Sequence, residues 1–120
     1  MTAREGNDDV VRLLIQRGAE VDSRDKWGAT PLHASSLHER LEASRLLLDQ
    51  GANVNARMRN NCTPMHLSAA SGNLEIVKLL LEHVLAVTDA STDEGQTPYQ
   101  VALAFGHGEI AELLRERGGF

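Results

Sequence analysis

The sequence predicts an all-α chain built as a one-dimensional stack of helix pairs. Three observations lead there. A Thr-Pro dipeptide recurs at Thr30-Pro31, Thr63-Pro64 and Thr97-Pro98, at spacings of 33 and 34 residues. Downstream of it, apolar residues return at i, i+3 and i+4, one face of a helix: Ile76, Leu79 and Leu80, then Ile110, Leu113 and Leu114, and upstream Val10, Leu13 and Leu14. Apolar residues make up 42% of the 120 positions but aromatic ones only 3%, so the core is assembled from Leu, Ala, Val and Ile, which suits closely approaching helices. A fixed period along the whole chain signals repeated units, none of which can bury its apolar face alone.

Each Thr-Pro opens a helix. Threonine is a good N-cap, and proline is tolerated at the first helical position because its missing N–H would be unpaired there anyway. The first helices are expected over roughly Pro31 to His38, Pro64 to Ser71 and Pro98 to Phe105. Their small residues (Ala34, Ser35 and Ser36; Ser68 and Ala69; Ala102) let neighbours approach. Gly72 and Gly106 then turn the chain into a second helix, and second helices are expected to begin near Asp8, Leu41, Leu74 and Gly108. Gly18 and Gly51 end them, as suits a residue held in the left-handed conformation.

Around the dipeptide the text itself recurs. Thr30-Pro31-Leu32-His33 is answered by Thr63-Pro64-Met65-His66 and by Thr97-Pro98-Tyr99-Gln100, and Gly18-Ala19-Glu20-Val21-Asp22 by Gly51-Ala52-Asn53-Val54-Asn55. This closely resembles the ankyrin repeat, with its 33-residue period and Thr-Pro-Leu-His signature. The resemblance covers the chain and implies an ankyrin-repeat solenoid of stacked helix-turn-helix units with projecting hairpin loops. It divides residues 1–120 into a partial first repeat (1–23), two full repeats (24–56 and 57–90) and a C-terminal repeat (91–120).

The chain departs from the pattern in places. Ahead of Gly6 the first copy keeps only Thr2-Ala3-Arg4-Glu5, which reads as a segment of a longer array or, alternatively, as an unusually short cap. Arg115, Glu116 and Arg117 would give the last helix a polar outer face. Glu39 stands where Gly72 and Gly106 stand; a non-glycine at positive φ costs on the order of 1 kcal/mol, so a somewhat different turn is expected there. Val84-Leu85-Ala86-Val87-Thr88 replaces the Gly-Ala-Asn-Val-Asn precedent, so the helix beginning near Leu74 should end differently from its counterparts.

Several function classes are disfavoured. The net charge of −5, from 12 basic and 17 acidic residues, argues against a nucleic-acid partner and against docking on anionic membranes. The single cysteine, Cys62, excludes an internal disulfide and suits a reducing setting, so an intracellular location, cytoplasmic or nuclear, is expected for a monomer. Cys62 has no histidine partner in a nucleophile arrangement and is expected to stand exposed near a hairpin tip. His33 and His66 tempt a metal reading, but no clustered Cys or acid completes a tetrahedral set. The resemblance implies instead that they hydrogen-bond around the helix starts of adjacent repeats, with the Gln100 amide able to keep one such bond. His38, His83 and His107 read as surface residues. Gly106-His107-Gly108 follows a helix rather than a strand, which fails the context of a phosphate loop. Asp8-Asp9 and Asp93-Glu94 read as a helix-start pair and a solvated turn. Asn55 occupies the hairpin position that asparaginyl hydroxylases modify in some ankyrin proteins, which the resemblance leaves open here. No catalytic residue, cofactor site or metal site is assigned.

The function expected is a protein–protein interaction module; the alternative is a structural segment of a longer array with no partner of its own. The resemblance implies that partners are read by the hairpin tips and by two residues late in each first helix, the concave face. The tip positions are Lys26, Trp27 and Ala29, then Arg59, Asn60 and Cys62, then Asp93, Glu94 and Gln96. The late-helix positions are Arg4 and Glu5, Leu37 and His38, Ala70 and Ser71, Ala104 and Phe105. Trp27 is the only tryptophan, and with Arg59 it is the expected anchor, because Trp and Arg carry binding energy disproportionately. In a competing reading Trp27 lies across the neighbouring hairpin and only shields backbone.

Overall fold

The computed structural model describes residues 21–83 and 86–119. The helix expected near Asp8, its stop at Gly18, the late-helix positions Arg4 and Glu5, and the conformation of Val84 lie outside these residues. Among the described residues there are six α-helices and no strand. They are α1 (Pro31–Leu37), α2 (Leu41–Asp49), α3 (Pro64–Ser71), α4 (Leu74–Glu82), α5 (Pro98–Ala104) and α6 (Gly108–Glu116). The second helices thus begin at the expected residues. The first helices α1, α3 and α5 form one closely packed row, and α2, α4 and α6 form a looser one against it. Leu47, Ile76, Leu80, Ile110 and Leu114 are buried from the second helices, and Leu32, Met65, Ala69 and Ala102 from the first. Each such Leu or Ile is worth about 1.5–3 kcal/mol in transfer from water, and the short helices depend on it, being too short to persist alone.

Every first helix starts with the same reciprocal cap. The hydroxyls of Thr30, Thr63 and Thr97 accept from the backbone N–H three residues on, and the residue there accepts the threonine N–H in return. For His33 and His66 the acceptor is Nδ1, 3.1 Å from the threonine nitrogen; for Gln100 it is Oε1, at 3.0 Å. Two of the orphan donors at each helix start are satisfied in this way.

The turn between paired helices is the same three times. Gly72 (φ +82°) and Gly106 (φ +77°) are left-handed, and so is Glu39 (φ +60°). Each turn is closed by the following N–H onto the first helix: Arg40 to Ser35 O at 2.8 Å, Asn73 to Ser68 O at 3.2 Å, His107 to Ala102 O at 2.8 Å. The altered turn expected at Glu39 is therefore not found. Packing on either side holds the turn, and the exposed glutamate accepts the unfavourable torsion. The end of α4, by contrast, differs as expected. Its cap residue His83 is extended (ψ 125°), whereas Gln50 (ψ 7°) and Arg117 (ψ 12°) lead into left-handed Gly51 and Gly118. The extra residue is absorbed here. The side chain of Asp22 accepts from Asn53 N at 2.9 Å, and that of Asn55 accepts from Val87 N at 2.8 Å, a step one residue longer.

His107 is not the surface residue expected. Its Nε2 lies 3.2 Å from the Ala70 carbonyl, and its ring rests against Gly72, where an added Cβ would stand 2.6 Å from the ring. His83 is likewise half-buried, whereas His38 is exposed as expected. Arg115, Glu116 and the cap residue Arg117 are exposed at the end of the last helix, with Arg115 bridging to Glu112.

Two outcomes follow from this packing. Gly72→Ala should cost about 2 kcal/mol and Gly106→Ala about 1 kcal/mol, because both force alanine left-handed but only Gly72 meets a ring; equal losses in denaturant titration would show that the His107 contact is idle. The second outcome concerns pH. Burial holds the His33 and His66 imidazoles below their ordinary range, while the Cys62 and Gln96 carbonyls that accept from them pull the other way. Acidification therefore protonates the unfolded chain first. The contribution of these two groups is complete above the ordinary value of about 6.5 and is lost as the pH falls below it. The melting temperature should accordingly hold above that value and decline beneath it, less steeply in His66→Gln; a melting temperature that rises on acidification through this window would contradict the neutral pair.

Candidate binding surface

Three fingers project, one ahead of each described helix pair, each closed by the same two backbone bonds. Asp25 N donates to Ala29 O at 3.0 Å, Met58 N to Cys62 O at 2.9 Å and Thr92 N to Gln96 O at 2.9 Å. A second bond inside each, closing a shorter loop, turns the tip: Gly28 N to Asp25 O, Asn61 N to Met58 O, Gly95 N to Thr92 O. Gly28, Asn61 and Gly95 are all left-handed, and the middle finger adds a second such residue, Asn60. Local acceptors stiffen two of the loops: the Asp25 carboxylate takes Trp27 N and Ala29 N, and the Thr92 hydroxyl takes Gln96 N.

The fingers are tied to one another. Arg59 N donates to Trp27 O at 2.8 Å and Asp93 N to Asn60 O at 2.9 Å. At the finger bases, two arginines one repeat apart act alike. Arg24 Nη1 donates to Gly28 O in its own finger and to Arg57 O in the next, at 2.8 and 2.6 Å. Arg57 Nη1 donates to Asn61 O and to Ser91 O, at 3.4 and 3.1 Å. This arginine ladder escapes a reading that searches only for the Thr-Pro signature; the signal available was the 33-residue interval between Arg24 and Arg57. The capping histidines complete the tie. His33 Nε2 lies 2.9 Å from the Cys62 carbonyl and His66 Nε2 2.9 Å from the Gln96 carbonyl. A carbonyl can only accept, so Nε2 carries the proton and Nδ1 is free to accept from threonine. Among the described residues no group of three or more His, Cys, Asp or Glu is placed to hold a metal.

The candidate positions divide accordingly. Lys26 and Trp27, Arg59 and Asn60, and Asp93 and Glu94 form the tips. Ala29, Cys62 and Gln96 lie on the returning arms. Cys62 is therefore not an exposed tip residue. It is half-buried, its carbonyl is claimed by Met58 and His33, and burial pushes its thiol up from the ordinary range, away from the reactive thiolate. Trp27 is 46% exposed, with Lys26 Nζ 4.5 Å above its ring centroid. Leu37, His38, Ala104 and Phe105 are exposed, Phe105 to 62%, while Ala70 and Ser71 are half-buried. Asp93 and Glu94 are engaged from the middle finger: Asn61 Nδ2 donates to Asp93 and Asn60 Nδ2 to Glu94, both at 2.7 Å, and the latter bond holds the Glu94 carboxyl below its ordinary range. Trp27, Leu37, His38, Met58 and Leu67 line a groove of about 210 Å³ between the first two fingers and the first helices. Met58 and Leu67 are absent from the expected set. Leu103 is also missed: it is 52% exposed, at the repeat position where Ser36 and Ala69 are fully buried, and its bulk beside those two small residues was the available signal.

Comparison with known proteins agrees with this geometry. The family model described as ankyrin repeats, in three copies, matches residues 1–58 and 56–119. A stretch of 42 residues is 40% identical to serine/threonine-protein kinase 12 of Arabidopsis thaliana; it amounts to 35% of this chain and 9% of that protein. With the family match spanning nearly every residue, and with three capped helix pairs and their fingers in register behind it, the chain belongs to the ankyrin-repeat family.

Proposed function

We propose that the chain binds a partner protein through the face made by its fingers and first helices, and that it does so without catalysis. Ankyrin repeats are generally protein–protein interaction modules and typically non-catalytic. The observation that carries the reading for this chain is the groove of about 210 Å³, where exposed Trp27 and Leu37 stand over half-buried Met58 and Leu67. Elsewhere the apolar positions of the second helices are consumed in stacking. A rigid aromatic beside an apolar hollow is the arrangement that concentrates binding energy. The tips need no reorganisation to present it, since each finger is held by its own turn and by its neighbour.

The test is affinity capture of binding proteins, followed by titration of each captured protein against variants. Trp27→Ala combined with Arg59→Glu should weaken binding at least tenfold, about 1.4 kcal/mol or more, while Lys78→Glu, at an exposed position of α4, leaves it unchanged. Binding that survives the double variant but is abolished by Lys78→Glu would put the partner on the other face. If nothing is captured that any of these changes affects, the repeats serve only as a structural segment of an array.

A further inference from the structure

We infer that the segment recognised by this face is an acidic stretch of a partner protein bearing one large apolar side chain, which fills the groove between Trp27 and Met58 while its carboxylates meet Lys26 and Arg59. The inference rests on the binding-face reading above and gives the partner its chemistry. A groove of about 210 Å³ falls short of the roughly 300–1,000 Å³ typical of small-molecule sites, but it suits a single side chain.

The two tips that wall the groove carry Lys26 and Arg59, and the finger bases carry Arg24 and Arg57. Among the described residues the ion pairs are Arg45 with Glu42 and Arg115 with Glu112, so none of these four cations has a carboxylate partner. Arg24 and Arg57 spend their bonds on carbonyl oxygens instead. One acid, the exposed Asp25, also lines the groove; its Oδ1 accepts from Trp27 N and Ala29 N, and it offsets one of these four positive charges. In a chain of net charge −5, the groove's edge is therefore a local excess of positive charge. The third finger reverses the sign, with Asp93 and Glu94 anchored by Asn61 and Asn60. The row of tips thus runs from basic to acidic, which both attracts an acidic segment and limits it to the first two fingers. A nucleic acid fits less well: four cations replace few counterions, and the hollow they border is apolar.

The experiment is selection of a displayed library of random peptides on the whole chain, with the best-enriched peptide then synthesised and titrated in solution. Enriched peptides should combine Asp or Glu with Leu, Met, Phe or Trp. Their affinity should fall about tenfold on Arg59→Glu and on Trp27→Ala, and should weaken with added salt. A version of the peptide with its acids changed to lysine should regain binding on Arg59→Glu. Neutral or basic peptides that still depend on Trp27 would overturn the acidic chemistry and leave the binding face standing. Peptides indifferent to both variants, or no enrichment, would overturn both. Tighter binding of an oligonucleotide titrated in parallel would likewise overturn the inference. Arg59 is exposed and Trp27 nearly half so, and an unchanged circular dichroism spectrum checks that each variant folds.

Discussion

One side chain in each full repeat holds both ends of its unit. The imidazoles of His33 and His66 accept the threonine N–H at their own helix start and donate to a finger carbonyl of the next repeat. A helix of seven or eight residues cannot stand on its propensity. It persists because its first turn is capped locally and its apolar face is covered by a neighbour, and the histidine performs the first task while fixing the geometry of the second. Both nitrogens are committed in a buried site, so the ring has one protonation state and one tautomer compatible with the fold.

The finger row follows from that anchor. With Cys62 and Gln96 held by histidine, each returning arm is pinned to the preceding repeat, and the tips fall close enough for Arg59 N to reach Trp27 O and for Asp93 N to reach Asn60 O. Arg24 and Arg57 close the same gaps from the finger bases. Backbone bonds thereby space the tips, and the side chains at Trp27 and Arg59 are left to vary in chemistry without disturbing the stack. The separation of tasks explains how an acidic chain can present a basic, apolar-centred edge on two fingers and an acidic third.

Much of this was legible because it is local and periodic. Thr-Pro marks each helix start, and glycine at 72 and 106 marks each turn. Where a neighbour overrides local preference, the sequence misleads. Glu39 would be glycine by torsional preference alone, yet closure of Arg40 onto Ser35 holds it left-handed. His107 looks like a surface residue until the bare Cα of Gly72, in the preceding repeat, gives its ring a seat. Cys62 reads as a tip residue because position within a loop does not say which arm turns inward. The groove is the hardest part to foresee, since Met58 and Leu67 belong to one repeat and Trp27 and Leu37 to another, and their meeting is a property of the stack.

The histidine tie can be observed directly. A long-range proton–nitrogen correlation spectrum of the imidazole rings near neutral pH distinguishes the two neutral tautomers and the cation. His33 and His66 are expected to be neutral, with the proton on Nε2 and Nδ1 unprotonated. Protonation at Nδ1, or an imidazolium, at either buried position would contradict the tie, because the ring could then no longer accept from threonine while donating to the next finger.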